Sequence, residues 1–450
     1  MRHWKKYRLA FSLAIEVLGN IAYNKKSFEC GEKQTVCSAA SGKYEGKMKA
    51  DIVGIMGACA YALDCIEAEL VNITNKHGKR VAYISVCMAE AFDIKKAALQ
   101  DLAVCALLHD NALTQYISEE LKWDWEQEEN VADTPHKLGV HCAYGERNIS
   151  RLPFHTDVSG AILYHHENAD GTGPFQKTWQ ETPLFARIIH LADMVDIIGN
   201  SRGFSGQQWK RVENYLNQNK GRLFDEECVL AFFAVFDEQA FLALNGDSFE
   251  EKFWKKVPRE KIEIDYEKCE DIANFFAQII DYKSKFTSRH SMGVAQKAAE
   301  LARYMGYDTE NIEKMYLAGA LHDIGKMAIG NEILEKPDKL TDEEFAKMKN
   351  HAGYTYLILS EIDDFTEIRD WAALHHEKLN GKGYPFGMTA KELNEPERMM
   401  ACIDIYQALT EERPYKKGKS HEAACEILED MASNGWLDSR IVENIRKCFE

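Results

Sequence analysis

One set of histidines and aspartates occurs twice in this chain, in the same order and at nearly the same spacing. His77, His109-Asp110, His141, His165-His166 and Asp193 recur as His290, His322-Asp323, His351, His375-His376 and Asp404. The displacement is 213 residues at the first histidine and at the His-Asp pair, 210 at the next histidine and the His-His pair, and 211 at the last aspartate. Ten of the fifteen histidines fall in these two sets. A near-constant displacement over seven residues implies a duplicated domain. The flanks agree, since PLFARIIHLADMVDII (183–198) echoes EPERMMACIDIYQALT (395–410). The first copy is therefore placed at 49–262 and the second at 263–450, with a charged boundary around Pro258. Residues 1–48 belong to neither copy, and their end, 31–47, reads as a loop or linker. The stretch 200–255 reads as helices closing the first copy.

Both copies read as all-α. The chain has only nine prolines and no long run that alternates with period two. In 291–306 apolar residues recur at Val294, Ala298, Leu301 and Met305, and Gly306 follows as a cap. The helix expected over 312–326 carries His322 and Asp323 near its end. Thr341 with Glu344 forms a capping box that opens a helix over 342–359. Lys and Arg number 55 against 72 Asp and Glu, a net charge of −17. Such a surface argues against a nucleic-acid polymer or a membrane surface as partner, while leaving room for a small phosphate ligand in a locally basic pocket.

Twelve cysteines are scattered without a CxxC pair, which predicts a reduced, cytoplasmic protein with no cysteine-based zinc site. The first twenty residues are basic and then apolar. Glu16 interrupts the apolar part, so an amphipathic helix is expected rather than a signal peptide. No run reaches the roughly 18 apolar residues of a transmembrane helix.

Five histidines and two aspartates per copy form a ligand set suited to divalent transition metals such as iron, manganese, nickel or zinc. Adjacent ligands point in different directions on a helix. A pair such as His322-Asp323 can therefore serve two neighbouring metals, with the carboxylate as bridge. Two-metal centres polarise a hydroxide and clamp phosphoryl oxygens, the usual device for phosphoester hydrolysis.

HDIGK (322–326), HHEKLNGKGYP (375–385) and Asp404 with ERPYKKG (412–418) resemble the HD-GYP family of metal-dependent phosphodiesterases. The resemblance covers the second copy from about 270 onward. It implies an all-helical fold of two tandem HD-type domains, signalling by cyclic dinucleotides in a bacterial type of cell, and hydrolysis of cyclic di-GMP or cyclic GMP-AMP, with cyclic di-GMP expected first. It makes His290, His322, Asp323, His351, His375, His376 and Asp404 the metal ligands, with hydroxide bridging two metals as the nucleophile. Asp323 and Lys326 would be the catalytic pair. Lys326, Tyr384, Arg413 and Lys416 would contact the substrate, the lysine and arginine gripping phosphate. Two alternatives stay open: a catalytically weak cyclic-dinucleotide receptor, and an HD-type phosphohydrolase of other nucleotides.

The second copy departs from the family pattern twice. Trinuclear members carry an acidic residue four positions before the first histidine, where Phe286 stands here, so two metals are expected. The usual aspartate after the last ligand is Gln407, so a contact behind the ligands is expected to differ. The first copy keeps all seven ligand types, His77, His109, Asp110, His141, His165, His166 and Asp193, as a second metal site. It has Leu113 in the place of Lys326, Pro174 in that of Tyr384 and Ser205 in that of Lys416, while Arg202 keeps the arginine place. Three readings follow for it: a metal-bearing domain of altered substrate, a regulatory ligand sensor, or a structural relic.

Overall fold

The computed structural model describes residues 48–70, 76–113, 115, 135–201, 203–246, 248–283, 288–334, 336, 338–412 and 417–450. Residues 1–47, with the expected N-terminal helix and linker, lie outside the described residues, as do Phe286, Arg202, Arg413 and Lys416.

The chain folds as helices, as the period-3.6 patterning requires. The first copy contributes β1 (Met48–Ala50), α1 (Ile52–Leu70), α2 (His77–Ala89), α3 (Lys96–Leu107), α4 (Pro135–Ile149), α5 (Leu184–Asn200), α6 (Gly206–Asn219), α7 (Glu226–Val235), α8 (Glu238–Leu242) and α9 (Phe249–Lys256). The second contributes β2 (Ile262–Ile264), α10 (Tyr266–Lys283), α11 (Ser288–Tyr304), α12 (Thr309–Leu321), α13 (Asn331–Leu334), α14 (Asp342–Met348), α15 (Asn350–Leu359), α16 (Thr366–Ala373), α17 (Glu395–Thr410), α18 (His421–Ser433) and α19 (Ser439–Cys448). Helices α2, α3 and α5 correspond to α11, α12 and α17. In each copy the first of the three packs on the other two, which brings the ligand-bearing ends together.

Local chemistry sets the helix ends. Thr341 and Glu344 exchange the two hydrogen bonds of a capping box, at 3.2 and 2.7 Å. Gly306 ends the preceding α11 segment at φ +81°. The helix expected over 342–359 is interrupted at Lys349, giving α14 and α15. The interruption starts α15 just before His351, whose Nδ1 bonds the Met348 carbonyl at 2.7 Å.

The two copies share one continuous core. The strands β1 and β2, the corresponding openings of the two copies, pair antiparallel with Lys49 opposite Glu263. The boundary expected at 262/263 falls inside β2. Helix α1 packs on α2 and α3 of its own copy and also on Ile324–Ala328 and α15 of the other. Helix α10 packs on α11, α12 and, across the boundary, α4. Lys79 crosses to Glu361 at 2.9 Å from a fully buried position. Burial of an ammonium is tolerable only with such partners, Glu250 being the second.

Candidate metal centre

In the second copy the expected ligand side chains come from five places. His290 lies in the first turn of α11, and His322 and Asp323 follow α12. His351 opens α15, His375 and His376 follow α16, and Asp404 lies within α17. Their atoms converge. His290 Nε2 is 3.0 Å from Asp404 Oδ1, and His322 Nε2 is 3.8 Å from the same oxygen. His351 Nε2 is 3.4 Å from His375 Nε2, and His376 Nδ1 is 3.8 Å from Asp404 Oδ2. Asp323 stands between the two groups, with Oδ2 3.2 Å from His322 and Oδ1 3.5 Å from His351. His290, His322 and Asp404 form one ligand-sized cluster and His351, His375 and His376 another.

The rings are oriented for donation inward. His322, His351 and His375 each give Nδ1–H to the carbonyl three residues back, Gly319, Met348 and Ala372, at 2.7, 2.7 and 2.6 Å. That fixes the tautomer and leaves the Nε2 lone pair facing the centre. His322 Nε2 is buried and makes no hydrogen bond there. Buried polar atoms left in this state are rare in native proteins unless something binds them. The donor set and this orphaned atom fit divalent metal ions.

Charge agrees with the geometry. Burial would raise the Asp323 carboxyl, but His322, Lys326 and His351 hold it well below the usual range. Burial would likewise raise Asp404, and its bond to His290 outweighs this. Burial lowers His351 to about 4 and pushes His375 and His376 down too, which favours the neutral imidazoles that metals bind. His290 is raised to about 9 against its burial by Asp404 and Glu411.

One side of the centre is open. The His376 side chain is 29% exposed and that of Lys326 is 21% exposed, whereas His322, Asp323 and His351 are at most 3% exposed. Lys326 Nζ lies 2.5 Å from Asp323 Oδ2. The Tyr384 ring lies over His376 with centroids 4.7 Å apart. The loop carrying Tyr384 is pinned by Glu377, which accepts backbone N–H bonds from Phe386, Gly387 and Met388 at 2.7, 2.9 and 3.0 Å. Gly383 is required there, because a Cβ would come within 2.4 Å of the Glu377 Cα.

The first copy assembles the same set. His77 Nε2 is 3.3 Å from His109 Nε2 and 3.4 Å from Asp193 Oδ1. Asp110 bridges in the manner of Asp323, 3.5 Å from His109, 3.3 Å from His141 and 3.6 Å from His165. His109 and His165 tie Nδ1 to the carbonyls of Ala106 and Ile162 at 2.9 and 2.6 Å. His166 stacks on His165 with centroids 4.0 Å apart. The substitutions expected at the mouth are visible as well. Leu113 is half-buried, and Ser205 serves as the N-cap of α6, accepting from the Gln208 amide. Where the second copy has α16, residues 156–163 form turns held by the Glu146 carboxylate, which accepts from the amides of Gly160, Ile162 and Leu163.

Four contributors were not read from the sequence. Glu411 Oε2 accepts from His290 Nδ1 at 3.1 Å, taking the role that Asp196 plays for His77 at 2.8 Å. Gln407 stands in the aspartate's place, so the carboxylate comes from one helical turn further on; that i+4 spacing was the available signal. Glu377 and Glu167, both following a His-His pair, pin corresponding loops. Cys142, buried beside His141, joins the first copy's histidine cluster although the absence of CxxC pairs argued against any cysteine-based zinc site. Burial would raise its thiol, but His165 and His141 bring it down to about 6.

The scaffold is duplicated, helical apart from the β1–β2 pair, and gathers a His/Asp cluster in each copy. The HD domain family matches residues 64–227 and again 274–441, and the chain belongs to that family, carrying its domain twice. It is 29% identical over 396 residues, 86% of this chain and 89% of the other, to the 3'3'-cGAMP-specific phosphodiesterase 1 of Vibrio cholerae. It is 31% identical over 299 residues, 65% and 63% of the two chains, to phosphodiesterase 3 of the same name and organism. A cyclic di-GMP phosphodiesterase of Pseudomonas aeruginosa is 38% identical over 35% of this chain and 38% of its own. The crystal structure of a cyclic GMP-AMP specific phosphodiesterase of V. cholerae superposes with a TM-score of 0.62 at 23% identity, over 89% of this chain and 98% of that one, and so shares the fold. Among the described residues no helix is long and apolar enough to cross a membrane.

Proposed function

We propose that the second copy hydrolyses a phosphodiester bond of a cyclic dinucleotide. The observation that carries this reading is the coexistence of a His/Asp centre with Lys326 and Tyr384 on its one open side. His290, His322, Asp404 and Asp323 would hold one metal, and His351, His375, His376 and Asp323 the other. Bound there, two divalent metals supply Lewis-acid polarisation of the phosphoester and an acidified water. The chain's own residues do the rest. The Nδ1–H bonds of His322, His351 and His375 hold the rings in place, and Glu411 orients His290. Lys326, held on Asp323, would offer its ammonium to an arriving phosphate and neutralise charge as the ester opens. Glu377 and Gly383 fix the loop so that Tyr384 walls the mouth.

Cyclic di-GMP was the first expectation from the sequence. The relative that matches 86% of the chain is named for 3'3'-cGAMP, and this favours 3'3'-cGAMP for a two-copy protein. Arg413 and Lys416 are proposed phosphate contacts on the resemblance alone. A cytoplasmic setting suits the unpaired thiols of Cys59, Cys105, Cys228, Cys269 and Cys402.

The test is product chromatography of metal-loaded, full-length protein on cyclic di-GMP, 3'3'-cGAMP and a mononucleotide panel. Turnover of a cyclic dinucleotide alone supports the reading. Tight binding without turnover would replace it with a receptor, and turnover of mononucleotides with a general phosphohydrolase.

A further inference from the structure

We infer that the first copy holds a closed, four-ligand metal site made of His141, Cys142, His165 and His166, with the thiolate as the ligand that shuts it. The donor atoms of these four residues all lie within 4.8 Å of one another. Cys142 Sγ is 3.7 Å from His141 Nε2. With zinc–nitrogen and zinc–sulfur bonds of about 2.05 and 2.3 Å, the N-to-S edge of a tetrahedron is about 3.6 Å. His165 points into the same space: its Nδ1 is committed to the Ile162 carbonyl at 2.6 Å, and its fully buried Nε2 makes no hydrogen bond. Cys142 is itself fully buried.

The second copy shows what the cysteine changes. There the residue after His351 is Ala352, buried and without a donor, so His351, His375 and His376 have no sulfur beside them and only the shared Asp323 as a further ligand. Catalytic sites keep a position for water or substrate, while structural sites fill all four. In the first copy Cys142 adds a sulfur to the three histidines. Asp110 Oδ1 is also near, 3.3 Å from His141 Nε2, but a thiolate is the softer donor and shifts preference from manganese toward zinc. Leu113 and Pro174, standing where a lysine and a tyrosine serve the second copy, fit a site that no substrate enters. On binding, the thiol proton leaves to solvent and sulfur bonds the metal.

The test uses full-length protein and does not depend on which substrate the second copy takes. Cobalt(II) loaded anaerobically should give a near-ultraviolet thiolate-to-cobalt charge-transfer band. That band should persist in His375→Ala and vanish in Cys142→Ser, with one zinc per chain lost from Cys142→Ser by elemental analysis. If Cys142→Ser fails to fold, X-ray absorption at the zinc edge of the unaltered protein decides, with a sulfur shell at about 2.3 Å amounting to one sulfur per chain expected. A cobalt-saturated protein without the band, a band that survives Cys142→Ser, or a zinc shell of nitrogen and oxygen only would overturn the proposal.

Discussion

The two copies place fourteen ligand-type side chains in matching positions yet differ beside them, with Leu113 for Lys326 and Pro174 for Tyr384. Asp323 has Lys326 at 2.5 Å, whereas the corresponding residue to Lys326 in the first copy is the half-buried Leu113. His290 is oriented by Glu411, and His77 by Asp196, which Arg80 also grips through Nη2 at 3.0 Å. Ala352 is replaced by Cys142. On the proposed reading, the first copy keeps a metal centre as a fold element without the groups that would handle a phosphate, and the chemistry falls to the second.

The strongest way to break the comparison is to neutralise the bridging carboxylates. Asp323→Asn should reduce cyclic-dinucleotide turnover to background, because both clusters lose their shared oxygen ligand, while Asp110→Asn should leave the folded protein active. Steady-state product formation at fixed metal loading reads both. Equal losses would mean that the copies share the work.

Lys326→Ala should keep its metals by elemental analysis and lose up to about a hundredfold in turnover, the worth of one charge-assisted phosphate contact. If the metals leave with the ammonium, Lys326 is a positioning partner of Asp323 rather than a substrate contact.

Glu411→Gln should weaken metal retention by roughly ten- to a hundredfold, the usual effect of losing a carboxylate behind a ligating histidine. Adding Gln407→Asp to that variant recreates the first copy's arrangement and should restore retention in a chelator competition. Failure of the second change to rescue would show that the two positions are not interchangeable.

The smallest effect concerns Glu313 and its counterpart Gln100. Gln100 exchanges hydrogen bonds with the Glu260 backbone at 3.0 and 2.8 Å, but both Glu313 carboxylate oxygens are buried without a partner. Burial, with Asp265 and Glu310 nearby, raises Glu313 to about 7 from 4.5. The folded state therefore holds this proton more tightly than the unfolded state. The stability it contributes is complete below pH 4.5 and is lost as pH rises through 7. Glu313→Gln should be close to neutral at pH 5 and should stabilise by about 1–3 kcal/mol at pH 8 by denaturant titration. A pH-independent difference would contradict the assignment.

The gathering of these side chains was legible because they carry their own signal: fourteen His and Asp positions at matched spacing point to two clusters before any helix is drawn. The capping box at Thr341 and the cap at Gly306 were legible for the same reason, each being a local rule with its residues in sequence. The contact between copies was not. β1 and β2 are three residues each, too short for a period, and pair across more than two hundred residues. The packing of α1 against Ile324–Ala328 depends on that pairing. Glu411 and Cys142 were missed because each acts through a neighbour in space, one turn beyond the expected aspartate and beside a histidine already counted.

The division of labour is tested most directly by two matched double variants, His375→Ala with His376→Ala and His165→Ala with His166→Ala, assayed side by side at equal metal supply. The account predicts that the first pair eliminates cyclic-dinucleotide turnover while the protein keeps its first-copy metal. It predicts that the second pair keeps the turnover of folded protein and lowers only metal content and melting temperature. Comparable loss of turnover in both would contradict it.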